Sequence, residues 1–313
     1  MRADLFQSKI WEEFKLKSGY SKSYRVQEIL ILVKKLPLNR TMLYSPMINE
    51  VQVERLENKG LRTEFLGEVN KIAKENNSIF YRLELNIDKT NPKAYGLSPK
   101  SPFIPSFEEM QPLHNWLVDL TQTEEEILAG MKQKGRYNIK ISQKSELTMT
   151  SSNVAGKELE AFYESYALTG KRHKITYRGK AYFESLLEIL GSNDYCRVYT
   201  VWHGKTALAS AVITYFDKSA LYLYGGSSEL HREMNAPYLL HWEIMREAKE
   251  RGCLEYNFLG VAPDDSPKHS WAGITRFKKQ FGGYQVDILG CFDLPLRKLE
   301  YAVFKVMEKI RRS

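Results

Sequence analysis

Apolar residues recur along the chain with two different periods. Leu66, Val69 and Ile72/Ala73 lie three to four apart, which predicts a helix over 61–75. From 79 to 87, Phe80, Arg82 and Glu84 alternate with Tyr81, Leu83 and Leu85, the pattern of a strand. The same reading gives a short amphipathic helix over 11–17, stopped at Gly19, and an apolar strand region over 24–36, ended by Pro37. The first half therefore reads α–β–β–α–β. Five of the eleven prolines fall within 91–112 and predict a long irregular segment there. A strand over 116–120 follows, then Thr123-Glu124-Glu125-Glu126, a capping box that opens a helix. That helix runs on through 131–140, with Gly135 dividing it in two.

The second half repeats the theme. Helices are predicted over 158–169 and 181–190, and strands over 196–202, 207–216 and 219–225, the strands joined by tight turns. A helix over 236–251 carries Pro237 in its first turn, where the missing N–H costs nothing. Tyr238, Trp242, Met245 and Ala248 give it one apolar face. A strand over 254–259, a helix over 271–281 ended by Gly282-Gly283, a strand over 284–293 and a last helix over 295–312 complete the chain. No repeat or low-complexity tract interrupts it. The pattern predicts a mixed α/β (α+β) chain of two domains in close contact.

Composition narrows the chemistry. At 313 residues, with 43% hydrophobic and 27% charged residues, the chain suits two globular domains. Its net charge of +8 points to a polyanionic partner: nucleic acid, a phosphorylated substrate or an anionic membrane surface. Cys196, Cys253 and Cys291 are too far apart for a metal pair and imply no disulfide framework. With no apolar leader and no apolar window long enough to span a bilayer, the expected location is the cytoplasm. The six histidines have no metal spacing, so no metal site is expected, and no Ser-His-Asp or Cys-His set stands out.

The strand–strand–strand–helix–strand order over 196–259 resembles the core of a GNAT-type acyltransferase. In that fold a glycine-rich loop before the helix cradles the coenzyme A pyrophosphate with backbone N–H groups. Here 227–237 contains no glycine and Pro237 removes a donor, so coenzyme A is not expected to bind in the usual way.

The most specific segment is 271–283, which includes Arg276-Phe277-Lys278-Lys279-Gln280-Phe281-Gly282-Gly283. Ile274, Phe277 and Phe281 would bury one face while Arg276, Lys278 and Lys279 project elsewhere. This stretch resembles the C-terminal signature of the Fem-type (FemABX) peptidoglycan aminoacyltransferases. Further segments agree in order: 6–15 with the family's N-terminal helix, Gly135-Arg136-Tyr137-Asn138-Ile139-Lys140 with its basic stretch, and Tyr222-Leu223-Tyr224-Gly225-Gly226, Ala236-Pro237-Tyr238 and Asn257-Phe258-Leu259-Gly260 with its strand–loop–helix–strand.

The resemblance implies two GNAT-like domains, 1–134 with 288–313 and 135–287, the first discontinuous. The helices after residue 230 leave no room for the helical-hairpin arm of some members. The implied activity moves an amino acid from aminoacyl-tRNA to a stem-peptide amine of a cell-wall precursor, UDP-MurNAc-pentapeptide or lipid II. No cofactor is implied, because the tRNA ester is already activated. Lys278, after Phe277, matches the family's essential lysine and would hold charge developing on the ester. Lys15 and Arg178 match residues that bind the precursor's diphosphate, and Tyr182 and Tyr224 match tyrosines of the same site. Glu84 matches a carboxylate position and is the candidate general base.

Several residues also support plainer readings. Lys132, Arg136 and Lys140 share a helix face and could follow a tRNA backbone, or be a solvated face. Glu84 could be an exposed strand residue or pair with Arg82. The last helix carries Leu296, Leu299, Val303, Val306 and Ile310 on one side, with Arg297, Lys298, Lys305, Lys309, Arg311 and Arg312 around it. Such a helix can lie at the cytoplasmic face of an anionic membrane. The family fold instead favours docking of its apolar side on the first domain. The rival functions are a GNAT-like N-acyltransferase using another acyl donor, and an RNA-binding protein on a degenerate transferase fold.

Overall fold

A computed structural model describes residues 4–90, 102–173 and 178–312. The chain divides into two compact units: Ala3–Leu113 with Asp287–Ser313, and His114–Val286.

The first unit opens with α1 (Lys9–Lys17), started by Ser8, whose hydroxyl accepts the Trp11 N–H at 3.1 Å. The apolar region that reads as one strand is a hairpin of β1 (Tyr20–Val26) and β2 (Ile29–Leu36). Gln27 and Glu28 form its two-residue turn, both at positive φ as a turn matched to strand twist requires. The apolar run at the start of β2 is fully buried, so it shows no alternation. β3 (Arg40–Ile48) has no clear period in sequence and contains Pro46, and the pattern misses it. α2 (Glu50–Glu57) and α3 (Lys59–Glu75) carry the chain over to β4 (Ser78–Asp88), parallel to β3. α3 buries Phe65, Val69, Ile72 and Ala73, while Leu66 is only partly buried. Of the proline-rich segment, 91–101 lie outside the described residues; β5 (Ile104–Pro105) lies within the remainder.

The second unit begins with β6 (His114–Asp119) and α4 (Glu124–Gly130), the latter opened by the predicted capping box between Thr123 and Glu126. The sequence assigns both elements to the first domain. They pack in the second because β6 pairs with β11 (Glu255–Gly260) and Ile127 and Met131 enter its core. α5 (Gln133–Lys144) starts after a break at Met131 and Lys132, not at Gly135. Gly135 lies inside the helix because a Cβ there would stand 2.3 Å from the Gln280 carbonyl oxygen. β7 (Thr148–Ser152), α6 (Lys157–His173) and α7 (Lys180–Leu186) follow. Then come β8 (Cys196–His203), β9 (Thr206–Phe216), β10 (Ser219–Ser227) and α8 (Ala236–Glu250), which leads into β11. β10 and β11 are parallel, and the unit's sheet runs β6-β11-β10-β9-β8-β7. This reproduces the predicted strand–strand–strand–helix–strand order. α9 (Ala272–Lys278) continues as a short 3-10 turn, Lys279–Phe281.

β12 (Tyr284–Pro295) and α10 (Lys298–Arg312) return to the first unit. β12 pairs with β4 from Ile288 to Pro295, so that unit's sheet runs β1-β2-β3-β4-β12. α10 does not dock through the expected apolar stripe. It packs through Tyr301 and Phe304, whose rings lie 5.2 and 5.4 Å from that of Phe80. Leu299, Val303, Val306 and Ile310 are exposed, and Leu296 precedes the helix. The aromatic side wins because the Tyr301 hydroxyl also reaches the buried Asp293 carboxylate at 2.7 Å. The longest helices among the described residues, α3 and α6, have 17 residues each. None is long and apolar enough to cross a membrane.

Candidate active site

Lys278 ends α9 and is 5% exposed. Its ammonium donates to the carbonyl oxygens of Phe258 at 2.7 Å and Gly260 at 2.6 Å, both on β11. The two carbonyls are available because β11 breaks register with β6 between Asn257 and Gly260. Leu259 adopts φ 54° there and donates its N–H to the Asn257 side chain at 2.7 Å. The irregularity thus turns a stretch of strand backbone into a lysine receptor. Burial holds the Lys278 ammonium down to about 7.

The surroundings of this lysine are aromatic. The Tyr222 ring lies 5.8 Å from the ammonium. His241 on α8 is buried, with Nδ1 2.8 Å from the Tyr256 hydroxyl and its ring 4.7 Å from that of Tyr222. Burial, then the Lys278 charge, push His241 down to about 3, so it is neutral. Phe277 packs against Tyr238 and Phe281, each at 5.3 Å. The expected face of Ile274, Phe277 and Phe281 does not form, since Ile274 is 44% exposed. The 3-10 turn advances each residue further around the axis than an α-helix does. Phe281 therefore falls in line with Lys278, and both are buried. Arg276 is exposed, and Lys279 pairs with Asp265 at 2.7 Å.

The same unit brings together Arg178, Tyr182 and Tyr224. The Tyr182 and Tyr224 hydroxyls are 3.1 Å apart, and the Arg178 guanidinium lies 5.1 Å from the Tyr182 ring centre. Tyr166 adds a fourth member, its ring 5.7 Å from Tyr224 and its hydroxyl accepting the Arg178 N–H at 3.5 Å. Tyr222 and Tyr224 would share a face of a regular strand. A register shift in β10 between them separates the two, so Tyr222 faces Lys278 and Tyr224 faces α7. Nothing in the sequence marks that shift, and the placement of Tyr222 and His241 near Lys278 and of Tyr166 beside Tyr224 is not legible in the sequence.

The first unit holds the other two candidates. Lys15 is 9% exposed, with its ammonium 4.9, 5.4 and 5.5 Å from the ring centres of Trp11, Phe14 and Tyr20. Tyr20 stacks on Tyr44 at 6.4 Å, and the Tyr44 hydroxyl donates to Glu84 at 2.5 Å. Glu84 is fully buried, neither exposed nor paired with Arg82. Its second oxygen accepts the Gln111 N–H at 2.8 Å. Burial raises this carboxyl to about 7. Arg82, two residues along the same face of β4, makes a bidentate pair with Asp293 at 2.7 and 2.8 Å and a single contact with Glu108 at 2.5 Å. Asp293 arrives on β12 more than two hundred residues later, a partner no local pattern announces.

On α5, Lys134, Arg136, Tyr137 and Lys140 line an open hollow of the second unit. Lys132 is the N-cap of the helix and exposed. The Arg136 guanidinium donates to the carbonyls of Met131 and Ala129, which close the end of α4. Among the described residues no three His, Cys, Asp or Glu side chains cluster as metal ligands.

The FemAB family model matches residues 103–201 and 196–309, which include the signature helix and the aromatic cluster. The chain belongs to the FemAB family. Aminoacyltransferases FemB and FemA of Staphylococcus epidermidis are 32% and 29% identical to it over 92 residues. That match spans 29% of this chain and 22% of each relative. A crystal structure of FemX is similar over 97% of this chain and 95% of its own, with TM-score 0.81 at 19% identity. A tandem GNAT protein from the clavulanic acid biosynthesis pathway is similar over 85% of this chain and 78% of its own, with TM-score 0.50 at 9% identity. At these identities the likeness is one of fold: this FemAB chain has the FemX-type, GNAT-like α/β architecture expected from its sequence.

Proposed function

We propose that the chain is an aminoacyltransferase. It takes an amino acid from aminoacyl-tRNA and attaches it to a stem-peptide amine of a peptidoglycan precursor, UDP-linked or lipid-linked. The observation that carries this reading is Lys278, a buried cation fixed by two backbone carbonyls within the family-matched segment. An ammonium has three donors; the Phe258 and Gly260 carbonyls take two, and the third is proposed to meet a substrate oxygen. In aminoacyl transfer the amine attacks the ester carbonyl and negative charge develops on that oxygen. Charge then passes to the ribose oxygen as the C–O bond breaks, and the proton lost by the amine ends on that leaving group. A rigid, desolvated donor stabilises such charge without reorganising. The neutral His241 beside it adds no competing charge.

Arg178, Tyr182 and Tyr224 of the second unit are proposed to bind the precursor, and Lys15 of the first unit is proposed, in its own right, as a phosphate-binding residue. Arg178 is exposed and suits a phosphate, while the paired tyrosine hydroxyls, one donating to the other, keep one O–H for a ligand at the same place. Glu84 is proposed as a positioning residue rather than the base, because both of its oxygens already accept hydrogen bonds within the first unit. The basic residues Lys132, Arg136 and Lys140 are proposed to meet the tRNA backbone. The tandem GNAT likeness supports a second reading, an N-acyltransferase using another acyl donor.

The test incubates the protein with charged tRNAs and each precursor and measures amide product. Lys278→Met is expected to lose about 10²–10³-fold in kcat, with precursor affinity nearly unchanged. No amide product from any charged tRNA, or an unchanged rate in Lys278→Met, would overturn the proposal. Saturable binding of coenzyme A by calorimetry would favour the second reading.

A further inference from the structure

α10 presents two opposed faces. Tyr301, 4% exposed, and Phe304 hold it to the first unit. On the other side Leu299, Val303, Val306 and Ile310 are 86, 58, 59 and 70% exposed, and Met307 widens the row. Their spacing of four, three and four residues makes one continuous stripe along the helix. Single exposed apolar residues are ordinary on any surface, but an aligned row is a site of attachment.

Charge says what the stripe meets. Lys298, Lys305 and Lys309 recur at helical spacing along one flank of it. Among the described residues none of the three forms an ion pair, and Lys305 only approaches the Tyr301 ring at 5.7 Å. The acids of the helix are neutralised: Glu300 pairs with Arg40 at 2.5 Å and Arg297 at 3.3 Å, and Glu308 pairs with Arg311 at 2.5 Å. The uncompensated charge bordering the stripe is therefore positive.

We propose that α10 seats this chain on an anionic phospholipid bilayer. The stripe enters the boundary between headgroups and acyl chains, and the three lysines extend to lipid phosphates. A protein partner fits less well, because lysine is depleted at the core of protein interfaces and here lines the whole length of a narrow stripe. The inference does not depend on the transfer chemistry and stands or falls by itself.

The test is sedimentation of the full chain with vesicles of phosphatidylglycerol and phosphatidylcholine, against phosphatidylcholine alone. Binding is expected to the anionic vesicles only, and to weaken with added salt. Val303→Glu/Val306→Glu is expected to lose binding by about tenfold or more, with thermal unfolding unchanged because both positions face solvent. Val303→Ser/Val306→Ser serves if the acidic pair folds poorly, with the same direction of loss. Absence of binding to anionic vesicles, or undiminished binding by both variants, overturns the proposal. So does self-association in the absence of lipid that either variant abolishes, which would assign the stripe to a second copy of the chain.

Discussion

Lys278 and Glu84 are both ionisable groups taken out of water, and burial moves them toward the same value from opposite sides. Their effects on stability have opposite signs. The Glu84 carboxyl is raised from its usual 4.5 to about 7, so its contribution is fully present below 4.5 and is lost as pH rises through 7. Glu84→Gln is therefore expected to gain stability relative to the parent between pH 5 and 8, read from thermal unfolding at several pH values. Parallel pH curves for the two proteins would refute the raised carboxyl. Lys278 is lowered from 10.5 to about 7, so below 7 the full cost of a buried ammonium is borne. Between 7 and 10 the native state has released a proton that the unfolded chain still binds, and stability recovers. Lys278→Met should lack that rise, and a variant that keeps it would show that some other group titrates. The sequence displays both residue types. It does not display their burial, since a lysine among lysines and a glutamate on an alternating strand read as surface.

At the scale of elements, local irregularities aim the side chains. The break in β11 exposes two carbonyls to Lys278, and the shift in β10 separates Tyr222 from Tyr224. The close approach of α5 to the turn after α9 is equally exacting. Lys132 donates its N–H to the Gln280 carbonyl at 3.1 Å, and Gly135 lies against the same oxygen. Gly135→Ala must displace backbone rather than a flexible side chain. A loss of about 1–3 kcal/mol is expected, measured by urea unfolding, and an unchanged midpoint would show that the contact gives way freely. The capping box of α4 and the period of α3 are legible because they are local. Gly135 is legible as a special position, but its cause is a carbonyl about 145 residues further on, so the sequence reading makes it a break in the helix.

Across the whole molecule, the surplus of +8 resolves into separate patches. Lys15 lies in the first unit and Arg178 in the second, α5 carries exposed lysines, and α10 carries three more beside an apolar stripe. If α5 meets tRNA, Lys132→Gln/Lys140→Gln should flatten the dependence of log affinity on log salt by about 1–2 units. An unchanged slope would return that helix to a solvated surface. The double variant spares Arg136, whose guanidinium also holds the end of α4. The α/β class, the strand–strand–strand–helix–strand core and the family are legible in the chain alone, because hydrophobic period, caps and short motifs are properties of neighbours in the chain. The burial of Lys278 on two carbonyls, the pairing of Arg82 with Asp293 rather than Glu84 and the outward turn of the aliphatic stripe of α10 are legible only in the folded chain. Each of those depends on partners brought together from distant segments, and the free energy of burying a charge or a stripe is set by what finally covers it.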